Sequence, residues 1–367
     1  MRSPFFLPLI CLGVGCGGGK DNGTDKETET GDTDGPITEE VVSCYGSYMV
    51  TETSDLEDLR LCREVQGNLT IDGDVSGLGA LAQLEVVTLS LTINNSDNLV
   101  NLDELSSLVD VGANLVISNN DKLENVDALF AIPELRDDIV ILDNPVLQNL
   151  DGLSGLSGAI LDLEIRENPM LESIDGISGV YVDDEIQIED NEILPNIDAL
   201  SGQTSARDIR INRNNALTDL AGLSNIVGEV EDLHLHGNAV LSDLSGLSGV
   251  TTVGEFTLQD SPVLTSLAGL ENVSGRFANG RGLVLARNPV LEDISALSGL
   301  TAVSTHVVID ANDVLEDLGP LENIGEIGGD LTIVSNARLC QADANSYAST
   351  RAVSGLVTVV DNSGPCN

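Results

Sequence analysis

The chain has 367 residues, with 60 Asp and Glu against 16 Lys and Arg and a formal net charge of −44. A polyanion cannot neutralise phosphates, so nucleic acid and anionic membrane surfaces are excluded as expected partners, and cations or cationic surfaces are favoured. Hydrophobic residues make up 41% but aromatics only 2%, with no Trp, which suits thin aliphatic layers better than a globular core.

The chain opens with Met1-Arg2, a short basic start, and an apolar stretch over residues 5–14. That stretch is about half of the roughly 20 residues that a transmembrane helix needs, so it reads as a processed signal rather than a span. It ends in Gly13-Val14-Gly15-Cys16, which resembles the lipobox of bacterial lipoproteins, although Gly13 stands where Leu is commonest. The resemblance implies a lipoprotein-type signal over residues 1–16, with Cys16 lipidated as the first mature residue; the alternative is a cleaved, unlipidated secretory peptide. With Gly17 beside the lipidated Cys, it further implies a surface-exposed outer-membrane lipoprotein that touches the membrane only through its anchor. Residues 17–43 are rich in Gly, Thr, Asp and Glu and nearly free of large apolar side chains, so a disordered tether is expected there.

From residue 67 onward the pattern Leu-x-Ile-x-x-Asn-x-x-Leu-x-x-Leu-x-x-Leu recurs. Its third position is held by Ile71, Ile93, Ile117, Ile141, Ile165, Ile188, Ile211, Leu235, Leu258, Leu285, Ile309, Ile333 and Val359, at intervals of 22 to 27 residues. Such a period predicts a solenoid in which each unit is one rung. Leu-x-Ile alternates as a half-buried strand does, and the following apolar residues at every third position suit flat or 3₁₀-like segments. The expected fold is all-β dominated: a parallel β-helix, or leucine-rich solenoid, of about thirteen rungs with short capping helices.

Asn120, Asn144, Asn168, Asn191, Asn214, Asn238, Asn288, Asn312, Asn336 and Asn362 recur at one corner of the unit, with Ser261 interrupting them. Stacked there, their amides would pair with turn backbone that is otherwise buried and unsatisfied, a structural role rather than a catalytic one. Pro145, Pro169, Pro262 and Pro289 directly after this position agree with a sharp corner.

Beyond the leader's Cys11 and Cys16, the cysteines fall in two pairs, Cys44/Cys62 and Cys340/Cys366, that bracket the body as end-capping disulfides would. Capping helices are expected over residues 54–61 and 341–351. The opening Cys44…Cys62-Arg-Glu-Val-Gln-Gly-Asn-Leu-Thr-Ile71, the Asn-x-x-Leu rungs and the closing Asp330-Leu-Thr-Ile-Val-Ser-Asn-Ala-Arg-Leu-Cys340 together resemble the receptor L-domain family. That family is a right-handed leucine-rich β-helix known from insulin- and EGF-receptor ectodomains and from bacterial surface proteins. The resemblance spans residues 44–366, about twice the usual number of rungs, so the body is a fused pair or one continuous stack. With no cysteine between 62 and 340, the continuous stack is preferred. The family implies recognition of proteins or peptides rather than catalysis.

The outward strand positions form one face, whose centre carries Glu164, Arg166, Gln187, Glu189, Arg210, Asn212, His234, His236, Thr257 and Gln259. The shoulders are more apolar, with Val116, Val140 and Leu142 on one side and Val284, Ala286 and Val308 on the other, a pattern that fits a recognition patch. His234 and His236 share this face as metal ligands on a strand can, but a third ligand is not evident, since His306 lies three rungs away; no metal and no cofactor is expected there. Asp103, Asp127, Asp151, Asp175 and Asp198, with Asp219, Asp243, Asp293 and Asp317 farther on, fit either caps of short turns, the preferred reading, or Ca²⁺ ligands.

The leading expectation is a monomeric, lipid-anchored surface protein that binds a protein or peptide on its strand face. A Ca²⁺-stabilised structural envelope protein is the alternative. A carbohydrate-active enzyme using Glu164 and Glu189 as paired carboxylates has the least support, because the aromatic platforms that sugars need are scarce and no nucleophile or nucleotide motif appears in context.

Overall fold

The repeat folds into strands because its β-branched, alternating segments match a pleated, half-buried surface. In the computed structural model, which describes residues 42–277 and 282–366, every anchor of the repeat lies in one 14-stranded parallel sheet. The strands follow chain order from Tyr48–Glu52 to Val357–Val360, and the molecule is a parallel β-solenoid. Anchor stacks on anchor: Ile117 pairs with Ile141, Ile141 with Ile165, and Ile165 with Ile188. In Leu163–Arg166 the side chains of Leu163 and Ile165 are fully buried, while Glu164 and Arg166, which alternate with them, lie on the outer face. At about 4.8 Å per strand the sheet is roughly 60 Å long.

There is one strand more than the thirteen that the repeat predicts. Tyr48–Glu52 precedes the first anchor and pairs Val50 with Ile71, but it carries neither Leu-x-Ile nor the Asn or Ser that ends most other rungs. Another strand, Val42–Tyr45, precedes it and opens the described residues. Cys11, Cys16, the 1–16 signal and most of the 17–43 segment lie outside the described residues.

Each corner is made in two residues. The first takes positive φ, as Asn119 (54°), Asp143 (51°), Glu167 (56°), Asp190 (55°) and Arg213 (54°) do, a conformation costing about 1–3 kcal/mol in isolation. The second is the buried Asn, which holds that turn. Asn168 donates from Nδ2 to the Ile141 carbonyl at 2.9 Å, and its backbone N–H donates to Asn191 Oδ1 at 3.3 Å. All ten Asn of the column are buried. Ser96 and Ser261 hold the same position and donate backbone N–H groups to Asn120 Oδ1 and Asn288 Oδ1.

The return path runs through 3₁₀ turns such as Asp151–Leu153 and Asp175–Ile177, then through short strands such as Gly158–Ile160 and Val180–Val182, which pair in parallel. Gly176 shows how closely the rungs approach, since a Cβ there would lie 1.8 Å from the Leu150 carbonyl oxygen. A second polar ladder crosses the entry to the main strands. Asn114 Oδ1 accepts the Asp138 N–H at 2.9 Å, Asp138 Oδ1 accepts the Asp162 N–H at 3.3 Å, and Asp162 Oδ1 accepts the Glu185 N–H at 3.0 Å.

Both ends are closed covalently. Cys44 is joined to Cys62 and Cys340 to Cys366, with Cα atoms 5.6 and 5.0 Å apart. The N-terminal helix expected at 54–61 is a 3₁₀ helix, Thr53–Leu59, that follows the strand Tyr48–Glu52 and buries Leu56 and Leu59. The C-terminal one is an α-helix, Gln341–Ser349, which buries Ala344, Tyr347 and Ala348 and ends two residues before position 351. Among the described residues no helix is long and apolar enough to cross a membrane.

Candidate functional site

The middle of the sheet is where its strands lengthen. Glu185–Glu189, Asp208–Asn212, Gly228–His236 and Val250–Gln259 all exceed the four residues of Leu163–Arg166, because polar residues before Leu-x-Ile continue the alternation. All ten residues proposed from the sequence meet here in two columns. Glu164, Gln187, Arg210, His234 and Thr257 form one, and Arg166, Glu189, Asn212, His236 and Gln259 the other.

Strand length adds a third column that the sequence reading missed: Glu185, Asp208, Asp232 and Glu255, each paired with the next. The signal was present, since each stands two residues before a residue already assigned to the face. Four stacked carboxylates repel one another, and Arg210 counters this by contacting Glu185 and lying 4.0 Å from Asp208 and 3.5 Å from Asp232. At the end of the column Glu255 lies 3.6 Å from His234 Nε2 and accepts from Thr257 Oγ1 at 3.4 Å.

The face is less open than the sequence implies. Glu189, Asn212 and Thr257 are buried, because in-register neighbours stand shoulder to shoulder and bond laterally. Asn212 Nδ2 donates to Glu189 Oε1 at 2.7 Å, and Arg213 Nη2 donates to Glu189 Oε2 at 3.3 Å. Val284 and Ala286 are buried too, so the apolar shoulder expected on that side offers little surface. Glu164 and Glu189 occupy different columns and are held by different cations, Arg166 and Arg213.

The two histidines have different surroundings. His236 Nε2 lies 3.0 Å from Asp260, whose two carboxylate oxygens also receive Arg287 at 2.7 and 2.6 Å. The hydrogen bonds from Arg287 hold the Asp260 carboxyl below its usual range. For His234, burial outweighs the nearby Glu255 and lowers the imidazole pKa, which favours the neutral ring.

Beside the face, the positive-φ corner opens into a groove of about 790 Å³ whose lining includes Asp143, Glu167, Asp190, Glu192 and Arg213. Arg213 is bound to Asp190 at 2.6 Å. The groove is therefore strongly acidic.

The acidic turns divide into two kinds. Asp219, Asp243, Asp293 and Asp317 cap turns as expected, each accepting the N–H two residues on, as Asp243 does from Ser245 at 2.7 Å. Asp103, Asp127, Asp151, Asp175 and Asp198 do not. They are the first residues of their turns, and the cap is the Asn or Ser two positions earlier, as where Asn149 Oδ1 accepts from Asp151 at 3.0 Å. A carboxylate at a first position still meets the partial positive charge of the turn's N-terminal N–H groups, which is why Asp recurs there.

No family model matches the sequence, and no curated protein matches it. Among solved structures, an internalin from Listeria monocytogenes is similar over 77% of this chain and 77% of that one, with 15% sequence identity and a TM-score of 0.47. A leucine-rich repeat protein from Leptospira interrogans is similar over 86% of this chain and 85% of that one, with 15% identity and a TM-score of 0.39.

Proposed function

We propose that this chain is a lipid-anchored protein of a bacterial cell surface that binds a basic protein or peptide segment along the central strand face and the adjoining acidic groove. The observation that carries the reading is the charge of that groove, where Asp143, Glu167, Asp190 and Glu192 face a single Arg213 beside a continuous polar sheet. An extended cationic segment laid along the stack would meet a carboxylate at nearly every rung, and a periodic surface rewards a periodic ligand. The anchor rests on Cys16 and the leader before it, and the net charge of −44 disfavours close approach to anionic lipid. The ion-paired state of Glu164 and Glu189 supports binding over hydrolysis.

The test is fluorescence polarisation of the full chain with basic, acidic and apolar peptide pools. Basic peptides should bind, more weakly as salt rises, and Asp143→Lys combined with Glu167→Lys should weaken binding tenfold or more. Arg213 and Arg287 adopt the same corner conformation, so a long cationic side chain is compatible with the turn. Binding that ignores peptide charge, or that survives the double reversal unchanged, would refute the reading.

A further inference from the structure

We propose that Asp232, His234 and Glu255 form a binding site for one divalent transition-metal ion of the Zn²⁺ class. The three sit on two adjacent strands. Asp232 and His234 are successive outward residues of Gly228–His236, and Glu255 is the direct partner of Asp232 on Val250–Gln259. One ligand atom from each lies within 4.8 Å of the other two, and His234 Nε2 is 3.6 Å from Glu255 Oε1. Metal–ligand bonds of about 2.0–2.2 Å at tetrahedral angles place donors roughly 3.3–3.6 Å apart, so the imidazole and Glu255 already have that spacing and small side-chain rotations bring in Asp232.

The donor set selects the ion. One imidazole nitrogen with two carboxylate oxygens suits Zn²⁺ or Co²⁺, whereas Ca²⁺ and Mg²⁺ prefer oxygen alone. Charge assists as well, since the column holds four carboxylates and Arg210 contacts the three nearest the other end, Glu185, Asp208 and Asp232. Three protein ligands leave a fourth position for water or for a donor from a bound partner.

The neighbouring pair serves as an internal contrast. His236 also faces a carboxylate, Asp260, but the Arg287 guanidinium engages both of its oxygens and takes the place that a cation would occupy. His306 lies on the approach to a strand two farther along the sheet than that of Glu255 and contributes nothing to the cluster. The proposal does not depend on a basic ligand in the groove, and its test uses the metal alone.

Full chain freed of metal by chelator and dialysis is titrated with Zn²⁺ by calorimetry, and with Co²⁺ followed by visible absorption. We expect one ion per chain and a Co²⁺ spectrum of low coordination number. His234→Ala and, separately, the milder Glu255→Gln should each weaken binding at least tenfold with the circular dichroism unchanged, while His236→Ala leaves the affinity as it was. Absence of stoichiometric binding, affinity retained in both His234→Ala and Glu255→Gln, or affinity lost in His236→Ala would each overturn the assignment.

Discussion

Gln341 terminates the buried amide seam to which Asn362 belongs: its Oε1 accepts the Asn362 backbone N–H at 3.1 Å, and its Nε2 donates to the Val359 carbonyl at 3.0 Å. The capping helix thus supplies, from its first residue, the amide that a further rung would have supplied. Gln341→Ala leaves both groups without that partner and should lower stability by about 1–2 kcal/mol. The denaturation midpoint measures the loss, and amide exchange should rise first in the strand Val357–Val360.

Ser261 is the seam's weak point. On either side Asn238 Nδ2 donates to Ile211 and Asn288 Nδ2 to Leu258, whereas the shorter Ser261 reaches only its own rung, at Gln259, 3.5 Å away. Ser261→Asn restores a donor at the level of Leu235 and should add about 1 kcal/mol. An unchanged or lower melting temperature would mean that the rung cannot accept the larger amide.

Close approach of the preceding rung requires Gly after the opening residue of several turns. The turns Asp151–Leu153, Asp175–Ile177, Ala221–Leu223 and Ser245–Leu247 carry Gly there, whereas Asp127–Ala131 and Asp198–Gly202 carry Ala128 and Ala199. Gly176→Ala forces a Cβ against the Leu150 carbonyl and should cost about 2 kcal/mol or more, while Ala199→Gly should cost only about 1. Urea denaturation of the two variants checks the asymmetry, and equal effects would contradict it.

Asp138 and Asp162 stack in the entry ladder, and burial first, with neighbouring carboxylates adding to it, raises both pKa values. A raised carboxyl pKa gives stability that is fully present below the unfolded value near 4 and is lost as pH climbs through the folded value. At neutral pH, where carboxylates ionise, the pair therefore opposes the fold. Asp138→Asn keeps the oxygen that accepts the Asp162 N–H and should raise the melting temperature at pH 7 but not at pH 3. A fall at pH 7 would reverse the sign of the argument.

The stacking of Ile71 through Val359 was legible because a solenoid places its core contacts at a fixed sequence interval, so periodicity along the chain is periodicity in space. The Asn seam was legible for the same reason, one residue type serving one position. Where a role stayed constant but the residue changed, the sequence hid it. Asn68, Ser90, Asn114, Asp138 and Asp162 all offer a side-chain oxygen to the next rung's N–H, yet vary among Asn, Ser and Asp. Gln203 was missed as well; buried where the short second strand is absent, it bonds Val182 N–H and Val180 C=O as a strand edge would. The column of Glu185, Asp208, Asp232 and Glu255 escaped because strand length was taken from Leu-x-Ile alone, which left His234 without its two carboxylate neighbours.

The most direct test of one continuous stack is a distance between spin labels on its outer face. Thr92 and Val308 occupy the same column nine strands apart in the sheet. Electron–electron resonance between labels at these positions should give one narrow distribution centred near about 43 Å. A peak below about 30 Å, or a broad spread of distances, would contradict a single stack and with it the shared face.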